Sequence, residues 1–461
     1  QEAAPDLLRS AGKMNIVLLT PGTGSYHCGV CMRDNALAKE LHRQGHRALL
    51  LPMYLPLTLD EEAASPGAPI FFGGVSTYLR EKFPLLRKMP RWMDRLLSAR
   101  WILKMLAGRA AAKTGGPEVA EMTLSMLHGE MGNQAGELRE LVAWLKTAFD
   151  GRPPDSVWLS TALQAGLARS LREEMKVPIV GFLQGEDTFL DGLGSRAPEI
   201  WSLLAERMKD ADVWVAPSKY FAKLMAARLR WSDAETERRM RVIQNGIALE
   251  DFDAEPEQPH SAPTIGYLAR FVPGKGIGVL VDAFMILKKR NTIAGLRLSC
   301  AGSMADGDAR YVDTLRAKLA AADCAGDVEF LPNVSREEKV RFLRSLDVFS
   351  APATASEAFG LYVIEAMAAG VPVVQPRAWA FPEIVGERAG VLFDPGKNED
   401  GTALALADAL EEILRDPARL RACGAAAREL AREKFSLRGM ASSFAQLAAS
   451  LGAQAVKNSF P

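Results

Sequence analysis

Glu357 and Glu365 stand eight residues apart in the stretch 351–375, APATASEAFGLYVIEAMAAGVPVVQ. Between them, Phe359, Gly360 and Leu361 read as the start of a helix that ends at Gly370. The unpaired backbone N–H groups of a helix start attract an anion, and Gly360 has no Cβ to hold a phosphate away. Glu357, in the loop, is placed to accept hydrogen bonds from vicinal hydroxyls. Glu365, read as about two turns into the helix, is placed to accept from a second pair. A bare pair of glutamates at this spacing is more often one solvent-facing and one helix-capping residue. The neighbours change that balance. About ninety residues upstream, Arg270 and Lys275 flank a Pro-Gly turn in 266–276, GYLARFVPGKG. Two cations there suit a diphosphate, whose charge grows as it departs. A phosphate cradle, two cations and two carboxylates for diols together describe a site for a nucleotide sugar.

These residues need a scaffold, and the chain spells one out. Residues 14–20 (MNIVLLT) are a short apolar run followed by a Gly-rich loop, a helical stretch over 30–44 and a second apolar run at 47–53. That is the start of a parallel α/β sheet. Further runs at 156–160, 177–183 and 211–216 continue it. A second series opens at 264–269, leads into a helix over 276–290 and adds runs at 296–301, 327–331, 347–350 and 371–375. Between the two series, 253–263 (DAEPEQPHSAP) reads as a linker on its three prolines and scattered acids. The 461 residues are enough for two or three domains. We place a first domain at 14–252, with a helical insertion at about 75–145 that breaks the alternation. A second domain follows at 264–440, and a C-terminal helix at 441–461 that packs back on the first domain. The fold class is α/β: two doubly wound, parallel-sheet Rossmann-like domains facing a cleft, with ligands at the carboxyl ends of the strands.

The ordered segments resemble the retaining glycosyltransferase family 4, on the GT-B fold. Gln244-Asn245-Gly246-Ile247 with Asp251-Phe252 is similar to that family's N-G-[VI] segment near the hinge. The stretch 266–276 resembles its G-R-x4-K-G segment, and 357–365 its E-F-G-x4-E segment. Pro382-Glu383-Ile384-Val385 and Gly390 also fit. The resemblance covers about 240–440 strongly, and 14–54 and 177–220 more weakly.

The resemblance implies transfer of a sugar from a nucleoside-diphosphate sugar to an acceptor hydroxyl, with retention at the anomeric carbon. Arg270 and Lys275 would hold the diphosphate, and Glu357 the donor sugar's hydroxyls; these three form the catalytic set. Glu365 would take the ribose hydroxyls, Phe359, Gly360 and Leu361 would offer backbone N–H groups, and 328–334 (VEFLPNV) would lie near the nucleobase. It implies no obligatory metal or cofactor. A UDP-sugar is slightly favoured as donor, and a sugar or lipid-linked molecule is the acceptor. Competing readings are another GT-B enzyme, such as a nucleotide-sugar epimerase or a phosphorylase, and a non-catalytic nucleotide-sugar-binding regulator. Neither a cofactor lysine nor a different acid set stands out to favour them.

The first-domain loop reads Pro21-Gly-Thr-Gly-Ser-Tyr-His27-Cys28-Gly29-Val30-Cys31. The family's Gly-Gly pair falls on Cys28 and Gly29, so Gly29 is expected near the donor phosphates while Cys28 departs from the pattern. Cys28-x2-Cys31-x10-His42-x3-His46 nearly copies a zinc-finger ligand order, with a gap short of the usual one. Packing cysteines are favoured over zinc or a redox pair, and no metal site is assigned. Where many relatives carry a His after the strand at 177–183, this chain has Gln184. Gln184, Glu186 and His27 are the acceptor-side or sugar-side candidates; Glu186 and Asp187 read equally as surface acids.

Lys+Arg and Asp+Glu both number 56, so no net field recruits nucleic acid. The charge is nevertheless uneven. Residues 80–113 hold ten basic residues against two acidic ones, interleaved with Trp92, Trp101 and several Leu. Such a stretch reads as a helical pair packed on the sheet with solvated charges, as a docking surface for anionic lipid headgroups, or as a site for an anionic acceptor. Five cysteines in a chain of this length suggest a reducing compartment. With no apolar leader or spanning run, a cytoplasmic protein is expected, with a peripheral position at the cytoplasmic membrane face if 80–113 docks there. Oligomeric state is not readable.

Overall fold

The computed structural model describes residues 12–22, 29–59, 61–72, 117–253 and 262–459. They form two units: one of the described residues within 1–217, 222–243 and 440–461, the other of those within 218–221 and 244–439.

In the first unit, β1 (Asn15–Thr20), β2 (Arg47–Pro52), β3 (Ser156–Leu159), β4 (Ile179–Phe182), β5 (Val213–Ala216) and β6 (Met240–Val242) form a sheet in the order β2-β1-β3-β4-β5-β6. Every pairing is parallel. The strands β3, β4 and β5 are buried throughout, as strands covered on both faces must be, which is why they read as unbroken apolar runs. Strand β6 was not anticipated. It has three residues, sits at the sheet edge and buries only Met240, so no periodicity marks it.

The helical region is partly described. Helices Pro117–His128 and Ala135–Leu145 flank Glu130, whose carboxylate accepts from Arg207 Nη1 at 3.0 Å and Arg169 Nη1 at 3.2 Å. Arg207 also donates to the backbone oxygen of Gly166 at 3.0 Å, pinning these helices to the loop after β3. The basic stretch 80–113 lies outside the described residues. Helix Leu437–Ser459 brings the chain back to the first unit, where Phe444 is buried against Phe182 (ring centroids 4.5 Å) and Trp158 (5.6 Å).

In the second unit, β7 (Thr264–Leu268), β8 (Arg297–Gly302), β9 (Val328–Pro332), β10 (Val348–Phe349), β11 (Val373–Pro376) and β12 (Gly390–Phe393) lie in the order β12-β11-β10-β7-β8-β9, again parallel. Strand β12, another short edge strand, was not anticipated either. The strand order reverses between β7 and β10, which marks the topological switch point where open α/β sheets bind ligands.

The unit boundary falls at Ile243/Gln244, earlier than the 253–263 stretch, most of which lies outside the described residues. The reason is packing. Ile247 N–H donates to the Phe435 carbonyl at 2.9 Å, Asp251 pairs with Arg336, and Phe252 joins the second core. Composition marked the Pro-rich stretch; these contacts decide which unit the preceding nine residues, 244–252, join. Among the described residues, no helix is long and apolar enough to cross a membrane.

Candidate active site

In the second unit, Arg270 follows the end of β7, and Pro273–Lys275 form one 3-10 turn before helix Ile277–Arg290. Gly276 joins the two with φ +78°, and a Cβ there would stand 1.9 Å from the Pro352 carbonyl oxygen. Only glycine allows the turn to lie against the loop that follows β10. Thr354 N–H then donates to the Gly274 carbonyl at 3.1 Å. The contact draws together side chains 82 positions apart: Lys275 Nζ donates to Glu357 Oε2 at 2.6 Å. Both belong to loops at the carboxyl ends of the two strands that flank the switch point. The lysine side chain is 35% exposed and the glutamate 10%, so a polar ligand can reach the cation while the carboxylate is held in place.

Helix Leu361–Ala368 begins with Gly360 as its N-cap, at φ +92°. Of the backbone donors expected to face an anion, Phe359 N–H is turned toward Glu357 Oε1 at 3.5 Å, while its ring is buried edge-on to Phe435. Glu365 is the fifth residue of the helix, a little over one turn in rather than two, because the helix starts at Leu361. Its Oε1 accepts from Lys339 Nζ at 2.7 Å. Arg270 does not join Lys275 at Glu357. Its Nε and Nη2 donate to the two oxygens of Asp308 at 3.0 and 3.1 Å, a forked pair that fixes the guanidinium plane.

Three partners of the predicted residues were missed: Asp308, Lys339 and Tyr362, whose hydroxyl donates to Glu357 Oε2 at 2.7 Å. Asp308 and Lys339 are remote in sequence and carried no signal. Tyr362 lies inside the singled-out segment, five residues after Glu357, and helix geometry alone could have raised it. Glu383, of the Pro382–Val385 segment, is placed elsewhere: its carboxylate accepts from Lys219 N–H (3.0 Å) and Tyr220 N–H (2.9 Å), the start of helix Lys219–Arg228. On β9 and beyond, Asn333 Oδ1 accepts from Met304 N–H at 2.9 Å and its Nδ2 donates to the Met304 carbonyl at 3.0 Å, tying the 328–334 stretch to the loop after β8.

In the first unit, Gly29 opens helix Gly29–Arg43, and a Cβ there would meet nothing within 4 Å. His27 and Cys28 lie outside the described residues. Cys31 is buried and accepts from Thr20 Oγ1 at 3.8 Å. Both histidines of the zinc-like spacing are engaged by backbone: His42 Nε2 lies 2.6 Å from the Ala48 carbonyl, and His46 Nδ1 accepts from Met14 N–H at 3.2 Å. No cluster of three metal-ligating side chains occurs among the described residues.

The surface-acid reading of Glu186 and Asp187 is corrected, since both are 4% exposed. Glu186 Oε1 accepts from Thr161 Oγ1 (2.7 Å) and Ala162 N–H (2.9 Å), and Oε2 from Gln184 N–H (2.8 Å) and Gly185 N–H (3.1 Å). Four donors satisfy the buried charge and tie the loop after β3 to the loop after β4. Gln184 Nε2, by contrast, is buried with no hydrogen-bond partner among the described residues.

Residues 250–430 match the model of a family described as glycosyl transferases group 1. Over 178 residues the chain is 33% identical to phosphatidyl-myo-inositol mannosyltransferase of Mycobacterium tuberculosis (strain ATCC 25618 / H37Rv), covering 38% of this chain and 44% of that protein. Over 175 residues it is 35% identical to the same organism's GDP-mannose-dependent alpha-(1-6)-phosphatidylinositol monomannoside mannosyltransferase, covering 36% and 42%. The matched stretch thus spans less than half of these relatives' own length. Among solved structures, sucrose-phosphate synthase from Thermosynechococcus elongatus aligns with a TM-score of 0.66 at 20% identity, over 96% of this chain and 100% of that one. Anabaena HepE in complex with UDP and glucose aligns at 0.63 with 18% identity, over 95% and 100%. At these identities the likeness is one of fold. Two parallel Rossmann-like sheets, one in each unit, are the fold this chain shares with these structures, and residues 250–430 carry its match to the group 1 glycosyl transferases.

Proposed function

We propose that this protein is a retaining glycosyltransferase of the family 4 type, moving a sugar from a nucleoside-diphosphate sugar to an acceptor hydroxyl. The observation that carries the reading is the Lys275–Glu357 pair at the switch point of the second sheet. A cation for a leaving diphosphate and a carboxylate for sugar hydroxyls stand side by side. In the reaction the bond between the anomeric carbon and the diphosphate oxygen breaks, and the acceptor oxygen bonds to that carbon on the same face. The acceptor proton passes to the departing phosphate, so no side-chain base is assigned. Arg270 and Lys275 stabilise the charge growing on the diphosphate. Glu357 orients the sugar, Glu365 the ribose, and Gly29, Gly360 and Leu361 offer backbone N–H groups. His27 and Gln184 are assigned to the sugar or acceptor side.

The sequence leaned toward a UDP-sugar. Relatives whose names specify a donor are GDP-mannose-dependent, which makes GDP-mannose the first donor to try. The relatives' names include phosphatidylinositol, which supports a lipid-linked acceptor and a peripheral position at the cytoplasmic membrane face, with 80–113 as the docking stretch. The test is product analysis with a donor panel of GDP-mannose, UDP-glucose and UDP-N-acetylglucosamine, with and without phosphatidylinositol vesicles. A glycosylated product whose anomeric configuration matches the donor's is expected. An epimerised nucleotide sugar, phosphorolysis, or binding without turnover would overturn the reading.

A further inference from the structure

Glu357 is held unevenly. Its Oε2 takes two donors, Lys275 Nζ at 2.6 Å and the Tyr362 hydroxyl at 2.7 Å. Its Oε1 has one contact, Phe359 N–H at 3.5 Å, at the outer limit for a hydrogen bond. Tyr362 is the second residue of helix Leu361–Ala368, and the left-handed Gly360 turns the chain so that the phenol reaches back to the loop. The same ring lies beneath the Lys275 ammonium, 5.7 Å from Nζ to the ring centroid, within reach of a cation–π attraction. Burial, and then the negative charge of Glu357, push the Tyr362 phenol well above its ordinary pKa, so it remains a proton donor.

We infer that Tyr362 is a positioning residue that fixes Glu357 through Oε2 and leaves Oε1 as the oxygen that takes the donor sugar's hydroxyl. The inference rests on the proposed function, because it needs Glu357 to meet the sugar. Without the phenol, Oε2 has only the flexible lysine to hold it, and when Lys275 turns to a diphosphate that restraint weakens. The tyrosine hydroxyl then becomes the anchor that survives donor binding. No contact to nucleotide is assigned to it, which separates it from Arg270, Lys275 and Glu365.

Tyr362→Phe keeps the ring under Lys275 and removes only the hydroxyl. Calorimetry would measure dissociation constants for GDP and GDP-mannose, and for UDP and UDP-glucose, in the wild type, Tyr362→Phe, Glu357→Gln and the double variant. In Tyr362→Phe the ratio of sugar-nucleotide to bare-nucleotide constants is expected to rise about tenfold, the scale of one hydrogen bond to a charged group. Bare-nucleotide binding should stay within about twofold. Adding Tyr362→Phe to Glu357→Gln should change the ratio little further, since both act through one contact. A folded Tyr362→Phe that keeps the wild-type ratio, or a double variant in which the two losses add fully, overturns the role of Tyr362 and leaves the proposed function standing. A wild type that binds neither nucleotides nor nucleotide sugars overturns the proposed function, and this inference with it.

Discussion

Replacing Glu365 by Gln separates what the residue does for the fold from what it does for a ligand. The carboxylate pairs with Lys339 at 2.7 Å, and the two side chains are 16% and 20% exposed. Gln keeps the shape and removes the charge. A partly solvated pair of this kind contributes about 1 kcal/mol or less to stability, which for a unit of about 200 residues lowers Tm by roughly 2–4 °C. The ligand term is larger. A ribose diol donating to a carboxylate makes hydrogen bonds to a charged group, of about 1.5–3 kcal/mol, so the bare nucleoside diphosphate should bind about 10- to 150-fold more weakly. Calorimetry with GDP and UDP, alongside thermal denaturation, reads both quantities on one sample. Glu357→Gln is the paired control. It should cut turnover while leaving bare-nucleotide binding unchanged or tighter, because Lys275 loses an internal anion that competes with the diphosphate. If Glu357→Gln weakens the bare nucleotide while Glu365→Gln leaves it untouched, the two roles are reversed. If Glu365→Gln lowers only Tm, the residue serves Lys339 and not a ligand.

Arg270→Ala and Lys275→Ala should each reduce turnover by about a hundredfold or more, since each removes charge from the leaving diphosphate; steady-state rates at saturating donor measure this, and full activity in both would remove the diphosphate assignment. Gly276→Ala should destabilise the second unit by at least about 1–3 kcal/mol from its left-handed φ alone, with the Pro352 contact adding to it. Urea denaturation checks this, and a wild-type midpoint would contradict the loop packing described above. His46 is buried and its Nδ1 accepts the Met14 N–H, so its pKa in the folded protein is lowered from 6.5. The unfolded chain therefore binds the proton more readily. The stabilising contribution is present above about pH 6.5 and is lost as pH falls through the lower folded value. Tm should fall more between pH 7.5 and 5.5 in the wild type than in His46→Gln, and equal falls would refute it. Elemental analysis of chelator-treated, folded protein should find no zinc; one tightly held zinc per chain would reinstate the Cys28/Cys31/His42/His46 reading.

The sequence by itself determined the strands that are buried on both faces, because a parallel sheet covered by helices must be built from short apolar runs, as at Val157–Leu159 and Val213–Ala216. It also singled out Arg270, Lys275, Glu357 and Glu365, since the nucleotide-sugar site we propose needs charged residues of those types beside turn glycines. Two edge strands, Met240–Val242 and Gly390–Phe393, left no such trace, because an edge strand of three or four residues buries too little to need an apolar run. The pairings within the site were decided only by tertiary structure. Lys275 and Glu357 are 82 positions apart and meet because Gly276 lets one loop lie on the other. Arg270 goes to Asp308, and Glu365 to Lys339, neither marked by any local pattern. Glu186, read from sequence equally as an acceptor-side residue and as a surface acid, is buried because the loops after β3 and β4 converge with four donors and need one anion between them. Residue types and periodicity are local and survive in one dimension. Which charge answers which depends on loops brought together from distant strands, and that information exists only once the sheet has formed.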